Sequence, residues 1–161
     1  MPMPKRMRWA SSSHEFIRPV VWLMALHGDA IVPLEVLGLQ SSNQTRGHRF
    51  HASHAITLNS PADYESSLHA AYVMVNPATR RAHIVKAVQQ QAEALGGTAV
   101  MDEELVDEVN ALVEWPVALA GRFDESFLEI PKEALIQTMQ ENQRYFALLD
   151  NDGQLMPAFI T

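Results

Sequence analysis

The chain has 161 residues, of which 47% are hydrophobic and 19% charged, so it can bury a core and is not a disordered tail. It contains no cysteine, which excludes a disulfide framework and a thiolate zinc site. Residues 1–100 hold nine Lys/Arg against six Asp/Glu (net +3), whereas residues 101–161 hold three against thirteen (net −10), which together give −7. Any phosphate-binding face is therefore expected in residues 1–100. The acidic part either meets another partner or is an ordinary solvated surface.

Neither a membrane span nor a secretory signal is indicated. The longest apolar run, residues 20–26, is far shorter than the ~20 residues that a spanning helix needs. Residues 1–9 are basic, but no apolar signal-type segment follows them. We therefore expect a cytoplasmic protein with no membrane partner.

Strand-forming residues dominate the first third of the chain. Apolar runs over residues 16–26 and 31–39 enclose a Gly-Asp turn at 27–30, which predicts a β-hairpin. A third strand is expected over residues 47–58, with the apolar end Ala55-Ile56-Thr57-Leu58.

Helix-start signals follow. Ser60 before a proline predicts a helix to about residue 72, and Asn76 before a proline predicts a second one that ends at Gly96-Gly97. A third helix is expected to begin at Asp102 and to be stopped by Pro116. A fourth is expected to begin at the proline at position 131.

Short apolar segments are expected between the helices. Residues 72–75 and 98–101 are candidate strands, and the runs 117–119 and 127–130 flank a turn. Strands 145–149 and 154–160 enclose Asp150-Asn151-Asp152-Gly153, which predicts a C-terminal hairpin.

Because strands and helices interleave without a strict β-α-β period, we predict an α+β fold. It should have a mixed, largely antiparallel sheet, three or four helices and the C-terminal β-hairpin. We expect a single domain over residues 1–161, with residues 1–14 as a linker. The aromatic residues expected in its core include Trp22, Phe123, Phe127 and Phe146.

No motif for catalysis or cofactor binding is found. His14-Glu15 begins like a zinc-protease helix, but the second histidine four residues on is missing. A phosphate-cradling glycine-rich loop and a Gly-x-Ser-x-Gly elbow are also missing. We therefore expect no catalytic residue, no metal and no cofactor within this chain.

Three histidines recur every third residue, at His48, His51 and His54. On a helix this spacing could bind a metal, but the neighbouring residues indicate strand and loop, where such side chains diverge. His48 and His51 could instead contact phosphate or ribose, or be ordinary surface histidines.

Two acidic groups have a competing interpretation. Asp150 to Gly153 could suggest a calcium loop, but the ligand spacing over ~12 residues is missing, so a hairpin turn explains it better. Asp124 and Glu125 could be an acid/base pair, but adjacent residues usually diverge, which favours a turn.

Clustered cations are the candidate nucleic-acid contacts. Lys5, Arg6 and Arg8 lie beside Trp9, a combination that suits phosphate binding and base stacking, or else a linker.

Four further arginines are candidates. Arg46 and Arg49 flank Gly47, whose backbone could approach a partner closely. Arg80 and Arg81 fall in the first turns of a helix, where free N–H groups favour an anion. Internal salt bridges or a solvated surface are the alternatives for all four.

Three segments resemble one family, and they occur in that family's order. They are residues 114–159 (E-W-P-V-A-L-A-G-R-F through L-M-P-A-F), residues 4–9 with 16–23 (P-K-R-M-R-W and F-I-R-P-V-V-W-L), and residues 45–50 (T-R-G-H-R-F). Together they resemble the beta subunit of bacterial glycyl-tRNA synthetase. Members of that family are several times longer, so the chain is expected to be an internal fragment.

The resemblance implies a fragment without catalytic residues. In such synthetases an alpha subunit activates glycine with ATP and Mg²⁺, and the beta subunit supplies recognition of tRNA(Gly) in an alpha-two beta-two assembly. The expected partners are thus the alpha subunit, the rest of the beta subunit and tRNA(Gly). The fragment is similar to the region ahead of the family's HD-type domain, related to the B3/B4 module of phenylalanyl-tRNA synthetase beta chains.

Three roles are consistent with that resemblance. The fragment could position tRNA, it could be an editing hydrolase for mischarged tRNA, or it could be a structural scaffold between domains. Editing would gain little, because glycine is the smallest amino acid and larger competitors are already excluded sterically.

Overall fold

The computed structural model describes residues 5–161, so residues 1–4 of the expected linker 1–14 lie outside the described residues. The chain divides into two compact units, Met1–Val73 and Met74–Thr161. The expectation of one domain over residues 1–161 stays a prediction. Within residues 5–161, four α-helices alternate with mostly antiparallel strands, which confirms the α+β prediction. Across the same residues, no helix combines the length and the apolar composition that a bilayer crossing requires.

Short strands build most of the first unit. They are β1 (Met7–Arg8), β2 (Glu15–Phe16), β3 (Leu23–Met24), β4 (Leu26–His27), β5 (Ala30–Ile31), β6 (Glu35–Val36), β7 (Leu39–Ser42), β8 (Gln44–Arg46) and β9 (Ala55–Thr57). The pairs β1–β2, β4–β5, β6–β7 and β8–β9 are antiparallel, whereas β3 and β7 are parallel. The pairing is therefore mixed but largely antiparallel, as predicted.

The predicted hairpin around residues 27–30 forms between β4 and β5. Gly28 has a φ of +61°, which glycine adopts without the steric cost of a Cβ. The expected strand over residues 31–39 is instead divided into β5, β6 and the start of β7. Pro33 lies between β5 and β6, and it has no N–H with which to continue a ladder.

A short helix ends the first unit. A 3₁₀ turn, Pro61–Asp63, leads into α1 (Tyr64–Ala70), and the Ser60 hydroxyl accepts a hydrogen bond from the backbone N–H of Ala62. The predicted cap is thus confirmed. The prediction of a strand at residues 72–75 is wrong. Tyr72 has a left-handed backbone conformation, with a φ of 61°, and the chain turns there as it leaves α1.

The second unit alternates helices and strands. Its elements are α2 (Pro77–Ala94), β10 (Thr98–Ala99), α3 (Glu103–Leu112), β11 (Ala120–Arg122), a 3₁₀ turn (Glu125–Glu129), α4 (Lys132–Thr138), a π-helical turn (Met139–Gln143), β12 (Phe146–Leu149) and β13 (Leu155–Ile160). The strands form one antiparallel sheet in the order β10-β12-β13-β11. The predicted C-terminal hairpin, β12 and β13, is therefore the centre of this sheet.

Helix starts agree with the predicted caps. The Asn76 side chain accepts hydrogen bonds from two backbone N–H groups at the start of α2, and the Asp102 side chain accepts one at the start of α3. Pro116 does not end α3 as predicted. The helix already ends at Leu112, and Val113 is extended.

A buried cluster joins α2 and α3 to the sheet. Its large sheet side chains, Phe146, Leu148 and Ile160, are at most 2% exposed. The helices contribute Ile84, Val88, Ala92, Leu105 and Val106. A smaller cluster of Met139, Ala147 and Leu155 lies beneath α4 and the π-helical turn.

The prediction that four aromatic residues lie in the core is wrong for two of them. Phe146 is buried and Phe123 packs against the smaller cluster, but Trp22 is 43% and Phe127 is 51% exposed. Phe127 lies in the 3₁₀ turn at the surface of the second unit, and Trp22 lies just ahead of the two-residue strand β3. Their apolar neighbours in the sequence do not form a layer that covers them.

Replacing Leu148 by alanine should destabilise the second unit by about 2–5 kcal/mol, because it leaves a cavity beside fully buried neighbours. Urea unfolding followed by far-UV circular dichroism measures the change. Leu112→Ala is the control: this leucine is 66% exposed, and its loss should change stability by less than about 0.5 kcal/mol. Equal losses in the two variants would contradict the assigned core.

Asp124 should contribute stability that depends on pH. Hydrogen bonds from the Ser126 hydroxyl and backbone N–H lower the pKa of the Asp124 carboxyl below its ordinary value. A lowered folded-state pKa means that this contribution is present above about pH 4 and is lost as pH falls through the folded pKa. Asp124→Ala should therefore be less stable than the parent at pH 7, with a difference that shrinks in acid.

Urea unfolding over a pH series measures this difference. Glu125→Ala removes the neighbouring exposed carboxylate and is the control. A difference between the parent and Asp124→Ala that stays constant down to about pH 2 would argue against the role of the Asp124 carboxylate.

Candidate nucleic-acid interface

Arg80 is bound within the second unit. Its Nε donates to the backbone oxygen and the Oδ1 of Asn110 at 3.0 and 3.1 Å, and its Nη1 donates to the carbonyl of Met74. These contacts connect the start of α2 to α3 and to the segment before α2. Arg80 is therefore partly buried and engaged with protein acceptors.

Arg81 is also paired inside the second unit. Its Nε lies 2.6 Å from Asp107 Oδ1, and its Nη2 contacts a carboxylate oxygen of Glu103. The hydrogen bond to Asp107 and the charges of both carboxylates raise the pKa of the Arg81 guanidinium above its ordinary value. The internal salt bridges that the sequence left open as an alternative are thus present for this arginine.

The N-terminal cations lie on a strand pair. Arg8 is in β1 opposite Glu15 of β2, and Arg6 Nε is 3.9 Å from Glu15 Oε2. Lys5, Arg6 and Arg8 are all exposed, and Trp9 is half-buried. Glu15 offsets part of this positive charge, and a phosphate contact by these three cations stays a prediction.

Two exposed arginines of the first unit lie against aromatic rings. Arg46, the last residue of β8, has its Cζ 5.9 Å from the ring centroid of Trp22. Arg49 has its Cζ 5.8 Å from the ring centroid of Phe50, which is 83% exposed. Both distances are within the range of cation–π attraction. We call residues 46–50 the arginine–aromatic loop.

The arginine–aromatic loop is attached to the end of α1 through Gly47. A Cβ at this position would lie 2.5 Å from Ala71 Cβ and 2.7 Å from the Ala71 carbonyl oxygen, so a larger residue does not fit. The backbone N–H of His48 donates to the same carbonyl at 2.9 Å. Gly47 was expected to allow approach to a partner, but the close approach is to Ala71 of the same unit.

His48 organises the outer part of the loop. Its Nδ1 accepts hydrogen bonds from the backbone N–H groups of Phe50 and His51, at 3.2 and 3.3 Å. Its ring lies 4.5 Å from the ring of His51, which lies 5.1 Å from that of Tyr72. These contacts hold the loop in one shape. A phosphate contact by His48 stays a prediction.

Metal binding by the histidines finds no support in the geometry. In the part of the chain that the structure describes, no group of three His, Asp or Glu side chains is close enough to hold a metal ion. The hairpin at Asp150 is a turn: its Oδ1 accepts from the backbone N–H of Asp152 and of Gln154. Asp124 likewise caps the 3₁₀ turn through Ser126.

Sequence reasoning missed the aromatic partners of the two arginines. Phe50 directly follows Arg49, but both fall within the third strand predicted over residues 47–58, whereas the structure begins that strand only at Ala55. Trp22 was assigned to the core because it lies in an apolar run. No sequence signal connects it to Arg46, which is 24 positions away.

Comparison with known proteins gives one consistent result. A family model described as glycyl-tRNA synthetase beta subunit matches residues 1–161. The "Glycine--tRNA ligase beta subunit" of Ectopseudomonas mendocina (strain ymp) is 52% identical over 161 residues, 100% of this chain and 24% of that protein. That of Chromohalobacter salexigens is 53% identical over 161 residues, 100% of this chain and 23% of that protein. The chain thus spans about a quarter of the length of these curated relatives.

Gly47→Ala should destabilise the first unit by about 1–3 kcal/mol, since the new methyl group would overlap both the side chain and the backbone of Ala71. Thermal unfolding measures the loss. Ser53→Ala, an exposed substitution nearby in sequence, is the control and should be close to neutral. A stable Gly47→Ala protein would show that the approach to Ala71 is not tight in solution.

Proposed function

The chain belongs to the glycyl-tRNA synthetase beta subunit family, and we propose that it is a non-catalytic, tRNA-binding part of such a subunit. In the proposed complex an alpha subunit joins glycine to tRNA(Gly) with ATP and Mg²⁺, and this segment helps to position the tRNA. The complex would act in the cytoplasm, in protein biosynthesis. The alpha subunit and the rest of the beta subunit are its proposed protein partners.

The observation that carries this proposal is the pair of exposed arginine–aromatic contacts in the first unit. Arg46 lies over Trp22 and Arg49 over Phe50, and both arginines are exposed. Guanidinium groups bind phosphates through several N–H donors, and aromatic rings stack on bases. Arginines and aromatic residues together can therefore bind both the phosphates and the bases of RNA.

The charge around these contacts supports the same proposal. Residues 36–62 contain no Asp or Glu, although Arg46 and Arg49 lie within them. Among the described residues neither arginine has a carboxylate within salt-bridge distance, in contrast to Arg81. No carboxylate of the described residues therefore competes directly with a phosphate for either arginine.

A scaffolding role is a second candidate for the acidic second unit. Leu112, Val117 and Leu119 are 66%, 64% and 60% exposed, and a partner surface could bury them. The relatives are about four times longer, so further protein is available to cover these side chains. No arrangement among the described residues favours the editing alternative.

Substituting the two loop arginines tests the RNA contact. Arg46→Ala with Arg49→Ala should weaken binding of tRNA(Gly) about tenfold or more at low salt, measured by fluorescence anisotropy. The slope of log K against log salt should become shallower by about 0.7–0.9 for each phosphate that the variant no longer binds.

Arg122→Ala is the matched control, because Arg122 is also exposed and also ends a strand, in the second unit. It removes one positive charge, as each single loop substitution does, and should leave affinity and salt slope nearly unchanged. Arg81→Ala should lower stability without weakening tRNA binding, because the Arg81 guanidinium forms salt bridges with Glu103 and Asp107 of α3. Equal losses of affinity in the loop variant and in Arg122→Ala would show that binding depends on overall charge and not on the loop arginines, which would contradict the proposal. No binding by the parent chain would overturn it.

A further inference from the structure

We infer that the arginine–aromatic loop and Trp22 bind unpaired nucleotides of a tRNA and not a duplex stem. This inference rests on the proposed tRNA contact and goes further, because it names the conformation of RNA that the site takes. It depends on the exposure of the Phe50 ring and on which parts of RNA offer a base face for stacking.

Phe50 is exposed to solvent on a loop whose backbone is held by hydrogen bonds to and from His48. At 83% exposure its ring gains almost none of the stabilisation that burial gives a phenylalanine. Its own backbone N–H donates to His48 Nδ1, and His48 is in turn bonded to Ala71. These hydrogen bonds fix the backbone that carries the ring, and the ring itself is exposed to solvent.

A duplex offers little to such a ring. In an A-form helix the faces of the bases are covered by their stacked neighbours, and the major groove is deep and narrow. Along most of its length a duplex offers phosphates, ribose hydroxyls and the polar edges of the bases, but no base face on which a ring could stack. Arginines alone suffice for those groups, so Phe50 would remain in water.

Unpaired nucleotides satisfy both parts of the site. A splayed base exposes its face for stacking on Phe50, while the adjoining phosphate meets Arg49. Trp22, 43% exposed beside Arg46, offers a second ring. Arg46 and Phe50 are four residues apart, so chain geometry limits their Cα separation to about 14 Å. The two arginine–aromatic pairs could therefore follow one short single-stranded segment.

The competing occupant of Phe50 is another protein surface, such as a further part of the beta subunit. The need for a planar side chain at position 50 distinguishes an RNA base from a protein surface. Stacking on a base requires an aromatic face, whereas an apolar protein contact accepts a leucine of similar size with a smaller loss. Phe50→Leu removes the face and keeps the apolar volume, and Phe50→Trp keeps and enlarges the face.

The experiment measures anisotropy at low salt with two labelled probes. One is an unpaired RNA of about 10 nucleotides without self-complementarity, within the range of known single-strand site sizes. The other is a blunt RNA duplex of the same length. We expect the parent to prefer the unpaired probe. Phe50→Leu should weaken that binding about 5- to 100-fold, Phe50→Trp should retain it, and neither should change duplex affinity more than about twofold.

Phe127→Leu is the matched control, because Phe127 is a 51% exposed phenylalanine of the acidic second unit. It should leave binding of both probes unchanged. Unfolding midpoints verify that Phe50→Leu remains folded, which its exposure predicts.

The outcomes separate the inference from the function on which it rests. Equal affinity for both probes with no effect of Phe50→Leu would overturn the inference and leave the tRNA contact standing. The same holds if Phe50→Leu weakens duplex and unpaired binding alike. Failure of the parent to bind either probe or tRNA(Gly) would overturn both, and would favour a protein partner for this loop.

Discussion

The second unit depends on burial of the β12–β13 hairpin. These strands are the middle two of four, so each hydrogen-bonds on both sides, and Phe146, Leu148 and Ile160 are withdrawn from water. Helices α2 and α3 cover the larger cluster, whereas α4 and the π-helical turn cover the smaller one. Because burial of apolar surface is the main favourable term in folding, this hairpin positions the other elements of the unit.

The first unit is organised differently. Its strands are two to four residues long, and its ordered loop depends on backbone contacts more than on a large core. The approach of Gly47 to Ala71 and the hydrogen bonds to His48 Nδ1 are examples. Such local contacts hold the arginine–aromatic loop without covering its side chains. A binding loop needs both properties, a defined backbone and accessible side chains.

The arginines illustrate how position decides what a charge does. Arg80 and Arg81 occupy a helix start that suits anions, yet nearby acceptors on α3 engage them. Arg46 and Arg49 lie in a segment without acidic residues and next to aromatic rings. The paired arginines stabilise the second unit, and the exposed ones remain available to a phosphate. All four side chains have the same chemistry, and the neighbouring residues decide whether each one is paired within the protein or exposed.

The sequence alone determined the family, the α+β class, the helix starts at Ser60, Asn76 and Asp102 and the C-terminal hairpin. The helix starts and the hairpin depend on residues close together in the chain, where a capping side chain or a turn glycine acts on its own backbone. The tertiary structure alone decided that Phe127 and Trp22 are exposed, that residues 72–75 are not a strand, and that Arg81 is paired. Exposure and ion pairing depend on residues distant in sequence, which an apolar run or a charge pattern cannot specify.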